Sequence, residues 1–345
     1  MHKLALSGGP RERGQQHGET YRESIRELAD IRRGLAEGYF KTQPPAKLRE
    51  LIDGQYQTLQ RYPDLCAEFD AIGAAANVSR EDLIILNNYT DMRDFATAGG
   101  CSTISVRSRQ GAFCGQTWDM HTSAHRFMVH LSIPGPEARE RAEVLTVMGC
   151  LALAGVNHAG VSVMINNMHC TENSLGLIWP ALVRGMILQP TAAGAFDYIS
   201  RHLPCSGHNY MISDPNEIIN VEASGKRVEA TYQSRANGVV FHTNHYVGKL
   251  KETENLRMQS KTTHERFASL DRYFKSLDAS NYGYEQLVRE VFLEERVPNV
   301  CIPIPKPGAD DTYTCGGILI DTSNRRGEMF HGLYKDGDKH EFRWG

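Results

Sequence analysis

The stretch Gly99-Gly100-Cys101-Ser102-Thr103 sets a glycine pair before a cysteine, at the head of a segment with strand-like alternation. A thiol there can attack the carbonyl that precedes it. The attack needs an unhindered carbonyl and an unusual backbone path, and glycine permits both. Cleavage of the Gly100–Cys101 bond would leave Cys101 as an N-terminal residue carrying a thiol and an α-amine. A free α-amine has a pKa of about 7.7–8.0, so near neutral pH it can take up the proton of its own thiol. Such a nucleophile needs an acid to orient its amine, and Asp119, which follows Trp118, is the candidate. It also needs amide donors for the oxyanion, each worth on the order of 10²–10³ in rate. Asn244 in "FHTNHY" and Asn166 in "MINNMH" are the candidates. Two plainer readings compete. The glycines could mark only a turn into a strand, or Cys101 could act in an uncut chain as half of a papain-like Cys–His pair. The second leaves the glycines unexplained and lacks that family's local signature around the cysteine.

Bringing Asp119 to Cys101 requires a hairpin. "CSTISVRS" and "AFCGQTWDM" alternate like strands on either side of a polar turn ending at Gly111. A turn centred on Arg109-Gln110 pairs Cys101 with Trp118 and sets Asp119 near the head of the Cys101 strand. Arg-Gln is not a favoured hairpin loop, so the register can slip by a residue or two. Upstream, residues 10 to about 95 have helical periodicity: a helix opens at Pro10, others run over about 46–62 and 65–72, and a fourth opens behind Ser79 and Asp82, which resemble a capping box. Strand-like runs follow at "FMVHLSI", "EVLTVMG" and "GVSVMINN", then helices near 179–189 and 194–203. More strands come at "HNYMISD", "EIINVEAS", "RVEATYQ" and "GVVFHTN". Helices near 255–277 and 283–292 precede a closing strand, "GGILIDTS". Helices, then strands, then helices predict an α+β protein with sheets sandwiched between helical layers.

Composition narrows the field. With 41% hydrophobic and 23% charged residues the chain reads as an ordinary soluble protein. A net charge of −3 and no basic run interleaved with aromatics give nucleic acid no electrostatic footprint. No segment reads as a signal peptide or a membrane span, so a cytoplasmic location is the default expectation. The eight cysteines are spread singly without a Cys-x-x-Cys pair, which argues against a disulfide framework or a zinc ribbon. His242 and His245 stand three apart, but no third ligand stands at a convincing spacing, so no metal is expected.

"GGPRERGQQHGE", "GGCST", "GQTWDM", "GVNHAGVSVMINNMH" and "VVFHTNHY" occur in that order across nearly the whole chain. Together they resemble the isopenicillin N acyltransferase family of self-processing N-terminal-nucleophile hydrolases. The resemblance implies an αββα sandwich with a helical N-terminal segment, and no cofactor. It implies cleavage into an α chain (1–100) and a catalytic β chain (101–345) that form one fold. By position Cys101 matches the nucleophile, Asp119 the acid that orients the amine, and Asn244 the oxyanion asparagine. Asn166 looks like the oxyanion donor of the related bile-salt hydrolases, which carry an arginine where this chain has Gln116. Trp118, His245 and Asp311 are expected to contact substrate. Family members carry an arginine before the final strand, where Asp310 and Asp311 stand here. That reversal of sign would favour an amine-bearing substrate over a carboxylate. The expectation is a self-cleaving cysteine amidohydrolase acting on a small-molecule amide. The alternatives are an acyltransferase that delivers the acyl group to an amine, and a non-catalytic binding relative.

Overall fold

The computed structural model describes residues 1–41, 43–92, 100–135, 141–304 and 312–344. Five helices precede Cys101: α1 (Pro10–Thr20), α2 (Arg22–Phe40), α3 (Pro45–Leu59), α4 (Pro63–Ala76) and α5 (Arg80–Met92), following a short first strand, β1 (His2–Ala5). Proline stands at the N-terminal end of α1, α3 and α4, where its missing N–H costs nothing. At the head of α1, the Glu12 carboxylate accepts from the Gly9 amide at 2.6 Å. Ser79 caps α5 by accepting from the Asp82 amide at 3.1 Å. Gly14 and Gly18 let α1 lie directly on α4. A Cβ at Gly14 would stand 2.2 Å from the Glu68 carbonyl oxygen, and one at Gly18 2.6 Å from that of Ile72.

The remaining strands are β2 (Gly100–Ser108), β3 (Gly111–His121), β4 (Met128–Pro134), β5 (Arg141–Val147), β6 (Ala154–Asn157), β7 (Ser162–Asn167), β8 (His208–Ser213), β9 (Ile218–Ala223), β10 (Val228–Ser234), β11 (Gly238–His242), β12 (Thr312–Asp321), β13 (Arg326–His331) and β14 (Asp338–Arg343). Among the described residues they form two sheets. One has eight strands in the order β1-β4-β5-β6-β7-β8-β9-β10, and the other six in the order β11-β2-β3-β12-β13-β14. The sheets are stitched together across their interface. The Thr103 hydroxyl of β2 donates to Asn166 Oδ1 of β7 at 2.7 Å, and the Ile165 amide donates to Gln116 Oε1 at 2.9 Å.

Helices cover both outer faces. Buried residues of α6 (Trp179–Ile187) and α7 (Ala192–Arg201) join the core of the eight-stranded sheet and the N-terminal helices. On the other side, Leu270 and Phe274 of α8 (Thr263–Lys275) and Leu287 of α9 (Tyr284–Leu287) pack on Ile104, Val106, Phe113 and Leu319. Each such side chain contributes about 1.5–3 kcal/mol by burial. The result is the expected helix–sheet–sheet–helix sandwich. Two expectations need correction. The helix read from about 255 begins at Thr263, after short 3-10 turns at Lys249–Thr253 and Leu256–Met258. The strands β1, β6, β13 and β14 escaped the reading: β6 has only four residues, and β1 and β14 are polar strands at sheet edges with largely exposed side chains. No helix among the described residues is long and apolar enough to cross a membrane.

The N-terminal helices are fastened to the rest of the chain by buried polar contacts. Arg184 of α6 donates to Glu68 at 2.8 Å and to the Leu151 carbonyl at 2.8 Å. His17 accepts from the Gly149 amide at 3.0 Å. Burial, then the charge of Arg184, lower the His17 pKa to about 3, so it stays neutral and able to accept. Asn87 donates to the Gly149 carbonyl and accepts from the Leu151 amide.

Candidate active site

The β2–β3 hairpin sets the register predicted from its turn: Cys101 pairs with Trp118 and Gly100 with Asp119. Cys101 is buried, 6% exposed, and lines a cavity of about 20 Å³ with Thr90, Gly100, Trp118, Asp119, Asn167 and His208 among its neighbours. Gly100 is needed for the approach of the carboxylate, because a Cβ there would stand 2.9 Å from Asp119 Oδ2. Asp119 Oδ1 accepts from the Thr314 hydroxyl at 2.7 Å, while Oδ2 is buried without a partner. Burial raises the Asp119 pKa, and the positive charge of Arg266 opposes the shift.

Burial, then the charge of Asp119, push the Cys101 thiol up to about 12. The backbone amides of Asp119 and Asn167 and the charge of Arg266 pull the other way. A thiol held this high is protonated at neutral pH, so it needs a base to act as a nucleophile.

Asn244 sits just past β11 in a segment anchored on two sides. His242 bridges the Glu222 carboxylate, 2.9 Å away, and the Thr243 carbonyl. The Asn244 amide donates to the Thr263 hydroxyl at the start of α8 at 2.8 Å, and the Thr243 hydroxyl donates to the Thr263 carbonyl at 3.1 Å. This anchoring aims the Asn244 side chain at the nucleophile: Oδ1 accepts from the Cys101 amide at 2.8 Å, and Nδ2 donates to the Asn167 carbonyl at 2.8 Å.

Arg266, one turn into α8, is fully buried and was not foreseen from the sequence. Its guanidinium donates to the Cys101 carbonyl at 2.6 Å, Ser102 Oγ at 2.8 Å, Asn244 Oδ1 at 2.7 Å and Thr262 Oγ1 at 3.1 Å. One side chain thus fixes both the nucleophile's backbone and the asparagine beside it. It also supplies the positive charge that balances Asp119.

The other expected residues divide. Trp118 lines the cavity. The Asn166 side chain is not brought to Cys101. Its Oδ1 accepts from Thr103 and Asn209, and its Nδ2 reaches the His242 carbonyl at 3.4 Å, so it ties the sheets together. Its neighbour Asn167 lines the cavity instead, as the two-residue period of a strand requires when one of an adjacent pair turns away. His245 also lies apart from the cavity, with Nδ1 against the Thr263 hydroxyl and its ring beside His264 and Phe267. Burial and the nearby His264 and His242 lower its pKa to about 3. Gly99, Asp310 and Asp311 lie outside the described residues. No group of three or more His, Cys, Asp or Glu side chains that could hold a metal ion occurs among the described residues.

Residues 106–295 match the family model described as acyl-coenzyme A:6-aminopenicillanic acid acyl-transferase. The chain is 25% identical over 338 residues to the acyl-coenzyme A:6-aminopenicillanic-acid-acyltransferase 40 kDa form of Emericella nidulans, covering 94% of this chain and 91% of that protein. Among solved structures, penicillin V acylase from Agrobacterium tumefaciens superposes with a TM-score of 0.50 at 14% identity, over 70% of this chain and 86% of the other. That likeness places the sandwich among the N-terminal-nucleophile hydrolase folds.

Proposed function

The chain belongs to the acyl-coenzyme A:6-aminopenicillanic acid acyl-transferase family, and on that premise we propose that it is a self-processing cysteine amidohydrolase acting on a small-molecule amide. The observation that carries this reading is Asp119 Oδ2, a buried carboxylate oxygen beside the Gly100–Cys101 junction with no donor in the uncut chain. Leaving such an atom unsatisfied costs on the order of 1–3 kcal/mol, and more for a charged group. The amine released by cleavage supplies the missing donor.

In processing, Cys101 Sγ attacks the Gly100 carbonyl carbon. The C–N bond to Cys101 breaks, the thiol proton passes to the departing nitrogen, and Gly100 is left as a thioester on Sγ. Water hydrolyses the thioester, leaving a Gly100 carboxylate and a free thiol beside a free α-amine. Residues 1–100 and 101–345 then persist as two chains of one fold, held by contacts such as Arg184–Glu68. With a substrate amide the same sequence repeats. The α-amine of Cys101, oriented by Asp119 and Asn244 Oδ1, takes the thiol proton as Sγ attacks, and that proton leaves with the substrate's amine. Water then releases the acyl group.

The oxyanion is held by Asn244 Nδ2, which keeps one N–H beyond its bond to Asn167, and by the backbone N–H of Asn167 beside the sulfur. Arg266 positions Asn244 and the Cys101 carbonyl. Asn167 thereby takes the place expected for Asn166. The second reading, transfer of the acyl group to an amine acceptor, is favoured by the activity for which the family is named. Both share the acyl-enzyme, and water is the acceptor whenever no amine is bound.

The test is turnover of a panel of acyl p-nitroanilides, with and without added amines. Release of nitroaniline by wild type and not by Cys101→Ala is expected. Equal release by both, or none by a correctly processed wild type, overturns the proposal. Diversion of product from acid to amide on adding an amine selects the acyltransferase reading.

A further inference from the structure

Beyond the nucleophile, the same cavity has a wall of polar side chains that the chemistry above does not use. Thr90 at the end of α5, Asn167 at the end of β7 and Trp179 at the start of α6 all line it. They are 6%, 9% and 5% exposed, respectively. Thr90 Oγ1, both polar atoms of the Asn167 carboxamide and Trp179 Nε1 are buried with no hydrogen-bond partner. Buried polar side chains nearly always have partners, and here three from separate elements lack them in one place. The wall is continued by His208, which faces Asn167 across the β7–β8 ladder and has Nε2 3.3 Å from Asp91 Oδ1. The lining also includes the apolar Trp118, Met120 and Ile165.

Gly100 lines the cavity as well, and this orients it. In the bond that the chain itself presents to Cys101, Gly100 is the acyl half. The cavity therefore lies on the acyl side of the scissile bond, and at about 20 Å³ it has room for one small polar end group among Thr90, Asn167 and Trp179. We infer that this wall is an acyl-recognition subsite for a short acyl chain ending in a neutral group that both accepts and donates hydrogen bonds, a hydroxyl or a carboxamide.

The donor inventory decides the chemistry. An indole N–H only donates, so the ligand must offer it an acceptor, which an ammonium group cannot do. Thr90 and the Asn167 carboxamide can take the ligand's proton in return. A carboxylate end would meet Asp119 in the lining and Asp91 behind His208, and the described lining residues include no lysine or arginine to balance it. An alkyl end would leave all three groups unsatisfied, and sites built to bond a polar substrate group reject the analogue lacking it. The amine preference expected from Asp310 and Asp311 points the other way, and the two can be separated by experiment.

This inference rests on the amidase reading, so the test must distinguish failure of one from failure of the other. The processed enzyme is given acyl p-nitroanilides of equal chain length that end in methyl, hydroxyl, carboxamide, ammonium or carboxylate. The hydroxyl or carboxamide substrate should exceed the methyl one in kcat/KM by at least about 10-fold. Thr90→Val and Trp179→Phe, two independent variants, should each lower that ratio by roughly 3- to 10-fold. A methyl substrate equal to or better than the hydroxyl one, an ammonium or carboxylate substrate in the lead, or a ratio unmoved in both variants overturns the subsite and leaves the amidase reading standing. No Cys101-dependent turnover of any member overturns both.

Discussion

Two sides of Cys101 treat their polar groups in opposite ways. Behind the Cys101 backbone, where the β11 exit meets α8, Asn244 Oδ1 holds two donors, its Nδ2 holds one acceptor, and the Arg266 guanidinium reaches four oxygens. On the wall built by the ends of α5 and β7 and the start of α6, Thr90, Asn167 and Trp179 keep buried polar side-chain atoms without partners. Bonds fixed before a substrate arrives cost no reorganisation during reaction, which is what a group stabilising a transition state requires. Groups that await a ligand lose stability in the empty protein and regain it only when the right ligand binds. The first side is organised for chemistry, and the side chains of the second for selection, while the Asn167 backbone N–H serves the oxyanion.

That division can be broken by substitution. Asn244→Ala removes an oxyanion donor and the acceptor of the Cys101 nitrogen, so kcat per processed molecule should fall on the order of 10²–10³. A rise in KM alone would move Asn244 to the selecting side. Asn166→Ala should instead cost stability, about 1–3 kcal/mol, because Thr103 and Asn209 lose a buried acceptor. A melting-temperature drop with kcat within a few-fold of wild type is expected, whereas a collapse of kcat at unchanged stability would return Asn166 to the catalytic set. The smallest effect is on pH dependence. In the uncut chain, accumulated by slowing processing with Asn244→Ala, the Cys101 thiol stands near 12. Its alkylation by iodoacetamide should climb roughly tenfold per pH unit from neutrality upward without levelling, since only the thiolate reacts. A plateau below pH 9 would mean that a base already serves the thiol before cleavage.

Parts of this site could be read from sequence because they depend on local spacing. The turn at Arg109-Gln110 placed Trp118 opposite Cys101 and Asp119 opposite Gly100, and the His-Thr-Asn-His run marked Asn244. The Asn166–Asn167 pair was harder, because one residue along a strand changes the face and two identical side chains carry no label. Arg266 had no signal at all. In "KTTHERF" it reads as a solvated helix residue, and only the fold of α8 against β2 buries it. Thr90, Trp179 and His208 converge from three elements far apart in sequence, which no motif could collect. The layers of the fold were legible because their helices and central strands have strong periodicity, which short or half-exposed edge strands such as β14 lack.

The central claim is that Cys101 becomes an N-terminal residue. An intact mass of the purified wild type beside Cys101→Ala tests it most directly. The wild type should give two fragments, with the break between Gly100 and Cys101, and the variant one uncut chain. A single uncut wild-type chain that still hydrolyses amides through Cys101 would contradict it, and the base for the thiol would have to be sought within the intact chain.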